Sequence, residues 1–256
     1  VLERSGHEVT LWCRSPEIAA QVARTRESTY LPGVTLGPAI APTCDLGAAV
    51  SGKPIVLAVT PSWAARAILA EAAPHLLPEA VVVNASKGIV ASAAGGDKLE
   101  LVHEIYNDVL PAPIARRAAF LSGPTFAIEL ARHLPSAIVV ASRDEEAAKL
   151  VQETFSTDRF RVYTSDDVVG IEVGGALKNV CAIGSGILDG IGFGHNARAA
   201  LITRGLAEMS RVGQRLGANP LTFAGLAGMG DLVLTFAGDL SRNRQVGLEL
   251  GSGRSL

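Results

Sequence analysis

Short apolar runs separated by stretches of helical period constrain this chain most. They lie at residues 55–59, 81–83, 119–121 and 137–140, each bounded by turn residues. Between them, residues 62–71 start on a serine suited to cap a helix, and residues 144–155 open with acids that favour a helix N-terminus. Strand, helix and strand in alternation predict repeated βα units over a mostly parallel sheet, and the unbroken apolar runs predict strands covered on both faces. Residues 7–12 alternate like a further strand, and residues 1–6 read as the last turn of a helix closed by Gly6. Residues 14–42 are polar, carry proline and give no clear period.

The texture changes after Tyr163. Across residues 166–217, Ala, Gly, Leu and Ile recur at helical spacing, interrupted by a glycine-rich turn at 190–194, with no strand pattern. Two domains are therefore expected, an α/β unit over residues 1–164 and an all-helical unit over 165–256, and a length of 256 residues accommodates both. The chain opens on a cut helix and stops in Ser and Gly without a closing core element, so a chain short at both ends is expected.

Composition excludes several classes. Apolar residues are 48%, yet no run approaches the roughly 18 uninterrupted apolar residues of a membrane span. The net charge of −2 gives no general attraction to nucleic acid or an anionic membrane, so any bound phosphate must be met locally. Cys13, Cys44 and Cys181 are odd in number and lack a CxxC spacing, and the histidines are scattered, so neither a disulfide framework nor a metal centre is expected. A reducing cytoplasm is the expected compartment.

Four segments hold residues able to carry chemistry. Lys178 precedes Asn179 on a stretch that is otherwise small and apolar. There a lysine either snorkels to solvent or is desolvated, its pKa drawn down to suit a general base. Asp231, in a glycine-rich bend, is either a helix cap or the partner of that ammonium. Ser241-Arg242-Asn243-Arg244 forms either a charged surface loop or a forked donor set for phosphate. The segments Asn84-Ala-Ser-Lys87-Gly88 and Leu121-Ser-Gly123-Pro-Thr125 follow strands, at the edge where open α/β sheets bind ligands, or else are plain strand-to-helix turns. The small residues Gly174-Gly175-Ala176 are explained at least equally well by close helix packing.

Taken together, these segments resemble the NAD(P)-dependent glycerol-3-phosphate dehydrogenase family. Gly-His-Glu-Val-Thr-Leu-Trp from Gly6, Ser86-Lys-Gly, Ser122-Gly-Pro-Thr-Phe-Ala, Gly174-Gly-Ala-Leu-Lys-Asn, the run from Gly192 to Gly205, Gly228-Met-Gly-Asp-Leu and Ser241-Arg-Asn-Arg occur in family order. The resemblance implies a Rossmann-type, mostly parallel sheet, incomplete at its N-terminus, followed by an all-α substrate domain. It implies Lys178 as the acceptor of the C2 hydroxyl proton of sn-glycerol 3-phosphate, with Lys87, Asn179, Asp231 and Thr235 around the reacting centre. The substrate phosphate falls to Ser241, Arg242 and Asn243, with Gly123 and Thr125 lining the pocket. Arg242, Lys87 and Ala127 are implied as cofactor contacts, the cofactor being NADP or NAD.

Arg14 stands two residues beyond Trp12, at the end of the second Rossmann strand, where an acid would favour the ribose diol of NAD and an arginine can meet a 2′-phosphate. A preference for NADP is expected. The GxGxxG turn that would carry the pyrophosphate is absent, its place falling before Val1, and this puts dinucleotide binding by the chain alone in question. The resemblance further implies a role in supplying glycerol phosphate for phospholipids. The expected partners are the small-molecule substrate and a second copy of the chain, with no nucleic acid and no membrane span. The competing readings are a hydroxyacid dehydrogenase or ketopantoate reductase of similar layout, and a non-catalytic binding protein on the same fold.

Overall fold

The structure is a computed structural model that describes every residue except Ala94, Gly96, 238–240 and Leu256. It opens on a 3-10 turn, Leu2–Ser5, closed by Gly6 at φ 89, and continues into β1 (Val9–Trp12). The polar stretch that follows is more ordered than its sequence suggests. It holds α1 (Pro16–Thr25), a small hairpin of β2 (Glu27–Ser28) and β3 (Leu31–Thr35), and β4 (Ile40–Thr43), which pairs with β1 in parallel. Ser15 caps α1 by accepting from the Ile18 N–H, and Pro16 fills the first helical position, where its missing donor costs nothing. Only Ala19 and Val22 of α1 are buried, which is why its apolar period is faint.

The chain continues through α2 (Leu46–Val50), β5 (Ile55–Ala58), α3 (Ala65–Ala72), β6 (Val81–Asn84), the short pair β7 (Val90–Ala91) and β8 (Leu99–Glu100), α4 (Val102–Val109) and α5 (Ala112–Arg116). It then forms β9 (Ala119–Ser122), α6 (Ala127–Ala131), β10 (Ser136–Ser142), α7 (Glu145–Phe155) and β11 (Phe160–Ser165). Five strands make one sheet in the order β11-β10-β9-β6-β5. Val81 and Val83 point to one face with Leu121, Val140 and the α7 residues Val151 and Phe155. Val82 and Phe120 point to the other, against Leu69, Ile105 and Tyr106. β6 and β9 are wholly buried, as their unbroken apolar sequence predicts.

The sheet is mostly parallel, with one exception: β10 runs antiparallel to β9. The segment leaving β9 turns back at Gly123, and its helix α6 has five residues, none buried. No helix therefore crosses the face to carry the chain to the other end of the sheet, as a parallel partner requires.

After Ser165 the described residues contain no strand. α8 (Val168–Gly190) and α9 (His195–Arg215) are separated by the glycine-rich turn, and α10 (Asp231–Ala237) and α11 (Arg242–Gly251) follow. α8 is long and apolar enough to cross a membrane by length and composition, but over half of its most apolar window is buried inside the protein. Its first turns join the sheet core through Val168 and Ile171. Further along, Val173 packs with Met209, Phe223, Leu232 and Phe236. α11 crosses α8 at a seam of glycines: a Cβ on Gly190 would lie 2.6 Å from the Leu248 carbonyl oxygen, and one on Gly186 would overlap the Arg244 carbonyl.

Candidate active site

The site begins with two turns at one edge of the sheet. β6 ends on Asn84, whose side chain donates to the Ser86 carbonyl at 3.1 Å and accepts from the Ser86 N–H at 3.2 Å. Ser86 Oγ in turn donates to the Thr60 carbonyl at 2.5 Å. This local knot fixes the direction in which Lys87 leaves the strand. The neighbouring strand β9 ends at Gly123, with φ 148, where a Cβ would sit 3.1 Å from Ile138 Cα; glycine meets both demands there. Lys87 Nζ donates to the Gly123 carbonyl at 3.3 Å.

α8 brings the second lysine. Lys178 Nζ donates to Asp231 Oδ1, while Lys87 Nζ donates to Oδ2 of the same carboxylate at 2.5 Å. Asp231 is 1% exposed, and the Lys178 side chain is largely buried. The lysine thus does not snorkel to solvent, and the aspartate side chain binds ammonium groups. Burial, followed by the neighbouring Lys87 charge, lowers the Lys178 pKa to about 8 against the opposing pull of Asp231. With both lysines protonated the cluster carries one net positive charge, which suits a developing oxyanion.

The glycines of the 174–176 segment divide between packing and chemistry. A Cβ on Gly174 would lie 2.6 Å from the Ala227 carbonyl oxygen, so this glycine lets the turn before Asp231 come close. Gly175 faces the other way: its Cβ would meet Ser122 Oγ at 3.1 Å and Lys87 Cδ at 3.5 Å. Thr235, one turn after Asp231, is buried and donates to the Asp231 carbonyl at 2.6 Å.

The third component is the start of α11. Ser241 is its buried N-cap, accepting from the Arg244 N–H at 3.3 Å. Asn243 Nδ2 donates to Asn179 Oδ1 at 2.9 Å, bringing this turn against the residue that follows Lys178. Asp189 accepts from Arg244 Nε at 3.0 Å and from Arg198 Nη2 at 2.5 Å. Burial raises the Asp189 pKa, but the two guanidinium groups outweigh it and hold the carboxyl below its ordinary value. The Arg242 side chain is exposed, with no hydrogen bond to a side chain or backbone group among the described residues. Arg244 belongs to the segment expected to meet phosphate, but its side chain is spent on Asp189. Asp189 and Arg198 carry no expectation from the sequence, although an acid six residues before the next helix is a visible signal.

Of the remaining expected residues, Thr125 and Ala127 follow Gly123 at this edge, whereas Arg14 belongs to the separate β1–β4 pair. Thr125 Oγ1 is 3.5 Å from the Gly123 carbonyl, Ala127 opens α6 and is exposed, and Arg14 is exposed just beyond β1. Their chemistry fits a dinucleotide: Arg14 is an exposed cation just past a parallel strand, and the Lys87 ammonium lies beside the Gly123 carbonyl, whose glycine is required by the close approach of Ile138.

Fold and site together define a class: a dehydrogenase in which a Rossmann-type sheet and a helical unit bring Lys87, Lys178, Asp231 and the Ser241–Asn243 turn together. Residues 1–148 match the family model of the NAD-dependent glycerol-3-phosphate dehydrogenase N-terminus, and residues 167–256 match that of its C-terminus. The chain belongs to this family. It is 54% identical to the glycerol-3-phosphate dehydrogenase [NAD(P)+] of Geobacter sp. strain M21, over 100% of the chain and 75% of that relative. The crystal structure of glycerol-3-phosphate dehydrogenase from Coxiella burnetii superposes with a TM-score of 0.90 at 36% identity, covering 99% of this chain and 75% of that one. The Saccharomyces cerevisiae glycerol-3-phosphate dehydrogenase gives a TM-score of 0.80 at 28% identity, covering 96% and 72%.

Proposed function

We propose that the chain interconverts sn-glycerol 3-phosphate and dihydroxyacetone phosphate with NAD(P), using Lys178 as the base. The observation that carries this reading is the shared carboxylate. Asp231 holds two lysines, one of them with its pKa drawn down to about 8, beside a turn whose free arginine suits a phosphate. The bound dinucleotide supplies the hydride acceptor or donor at C2. In oxidation the neutral amine of Lys178 takes the C2 hydroxyl proton, and the Lys87 ammonium offsets charge on the C2 oxygen. Arg242 forks onto the phosphate with the Ser241 hydroxyl and the Asn243 amide, and Asn179 uses its free N–H to orient the C2 oxygen. Binding the remote phosphate thereby aligns C2.

The reading divides the molecule near residue 165, where the last strand gives way to α8, into a cofactor-binding and a substrate-binding part. It also makes the protein a cytoplasmic homodimer supplying the glycerol phosphate of phospholipids; light scattering on the purified protein tests the dimer. The deciding assay follows NADPH and NADH oxidation with dihydroxyacetone phosphate and with dihydroxyacetone. Turnover that depends on the phosphate and is lost in Lys178→Ala is expected. Equal rates on the two ketones would favour a hydroxyacid or ketopantoate type of substrate, and full activity of Lys178→Ala would remove the base.

A further inference from the structure

Behind the two lysines lies a set of buried polar groups that the reaction above does not use. Glu172, on α8 two turns before Lys178, is 8% exposed. It accepts from the His103 backbone N–H at 3.0 Å through Oε1 and lies 2.5 Å from His103 Nδ1 through Oε2. Burial raises the pKa of this carboxyl, with His103 opposing. The carboxylate lines a cavity of about 10 Å³, walled also by Asn84, Lys87, Phe120, Ser122 and Gly175. That is close to the room one water occupies. Ser122 Oγ, in the wall of the cavity and 2% exposed as a residue, has no hydrogen-bond partner. Tyr106 Oη, one turn after His103 and close enough to Glu172 to feel its charge, is likewise buried without a partner.

His103 also faces outward. With Asn107, Arg116, Arg143 and Asp144 it lines a cleft of about 360 Å³ at the opposite end of β9 from Gly123. Phe120 belongs to both walls, and the His103 ring meets it edge-on with centroids 6.4 Å apart. The histidine–glutamate pair therefore spans the partition between an open cleft and the back of the site.

We propose that the inner cavity holds one water and that His103, Glu172 and this water form a proton passage from the outer cleft to the Lys87–Asp231–Lys178 cluster. The proposal rests on the dehydrogenase reading, which requires one proton per carbonyl reduced. The inner cavity and the outer cleft share Phe120 in their walls, so the passage reaches the lysines from the side of the sheet away from its carboxyl edge. In reduction, Lys178 gives its proton to the substrate oxygen and is left as an amine. The amine takes a proton from the Lys87 ammonium on the same carboxylate, Lys87 takes one from the water, the water from the Glu172–His103 pair, and His103 from solvent. One proton enters, no electron moves along the passage, and oxidation runs it outward. Glu104, Tyr106 and Lys87 are the other ionisable groups around the pair, and Arg116, Arg143 and Asp144 surround the cleft.

Variants of the full chain test this: His103→Gln, Glu172→Gln and Gly175→Ala, the last placing a methyl in the cavity, with His103→Gly for chemical rescue. Expected in the first three is a fall in kcat of about tenfold or more, KM within about twofold, and a larger solvent deuterium isotope effect. Small amines or imidazole should restore part of the loss in His103→Gly. A high-resolution crystal structure should show a water within about 3.2 Å of Ser122 Oγ and of the Glu172 carboxyl, absent in Gly175→Ala. Unchanged kcat and isotope effect in Glu172→Gln and Gly175→Ala overturn the passage, as do losses that track melting temperature and resist rescue. A dry cavity in a wild-type protein that turns over overturns the passage alone. Wild-type protein without turnover on either substrate overturns the dehydrogenase reading, and the passage with it.

Discussion

Asn243 donates its side-chain amide to Asn179 across 2.9 Å, linking the first turn of α11 to the residue beside Lys178. This bond ties the two turns together at the end of the glycine seam by which α11 crosses α8. It also directs what remains free: Asn179 keeps both amide donors and Asn243 keeps its carbonyl oxygen.

The first prediction concerns this clamp. Arg242 is exposed and free of partners among the described residues, so its removal should leave the melting temperature unchanged. A charge-assisted hydrogen bond contributes about 1.5–3 kcal/mol, so Arg242→Ala should raise KM for glycerol 3-phosphate about 10- to 100-fold. Arg242→Lys should recover little, because a point charge lacks the fork. In Asn243→Ala the clamp drifts relative to Lys178, and kcat should fall together with the rise in KM. Steady-state kinetics in the oxidative direction decide both; an unchanged KM in Arg242→Ala would place the phosphate elsewhere.

The second prediction is a pH profile. The Lys178 pKa is lowered to about 8, and oxidation needs the amine, so kcat/KM for glycerol 3-phosphate should rise up to about pH 8 and then level. Carbonyl reduction needs the ammonium and should decline above the same pH. Asp231→Asn removes the pull that favours the ammonium and should move the rise to lower pH, whereas Lys87→Gln removes a like charge and should move it higher. Shifts of the same sign in the two variants would contradict the shared-carboxylate arrangement. Linkage gives an independent reading: from about pH 8 to 10.5 the unfolded chain holds more proton at this residue than the native one, so its contribution to stability rises with pH.

Lys178 and the wholly buried strands share a reason for being legible in the sequence. Val81, Val82 and Val83 form an unbroken apolar run because both faces of β6 are covered, and Lys178 is a charge in a helix with few polar neighbours. α1 and β4 were not legible, since half-exposed elements such as Ile40–Thr43 carry polar residues and Pro42. The Lys87–Asp231 contact joins residues 144 apart, and no local pattern encodes it. Glu172 left a signal that went unread: an acid between Ile171 and Val173 on an apolar helix must find a partner, here His103.

A third prediction tests the glycine seam as a positioning device. A Cβ on Gly186 would overlap the Arg244 carbonyl, and backbone cannot swing aside as a long side chain can. Gly186→Ala should therefore push α11 from α8, destabilise the protein by about 1–3 kcal/mol or more, and raise KM for the phosphorylated substrate. Gly184→Ala is the control on the same helix, because its Cβ would make ordinary contact at 3.6 Å with Leu201. Calorimetry and kinetics should separate the pair; equal behaviour would mean that α11 is not held by this crossing.

The last prediction is cofactor choice. Arg14 follows β1 directly, at the carboxyl end of a strand paired in parallel with β4, and its side chain is exposed and unpartnered among the described residues. Ligands of open α/β sheets lie outside that end, and an arginine there meets a 2′-phosphate that an acid would repel. Ser15 is already engaged as the cap of α1, so Arg14 is the residue of this turn free to make the contact. Arg14→Ser should raise KM for NADPH about tenfold or more, the scale of one charged hydrogen bond, while KM for NADH stays within about twofold. Arg14→Asp should go further and reverse the preference, since a carboxylate accepts from both hydroxyls of the NADH ribose and repels the phosphate. Equal losses with both dinucleotides would assign Arg14 to the fold of the turn, and the protein would then choose its cofactor by another group.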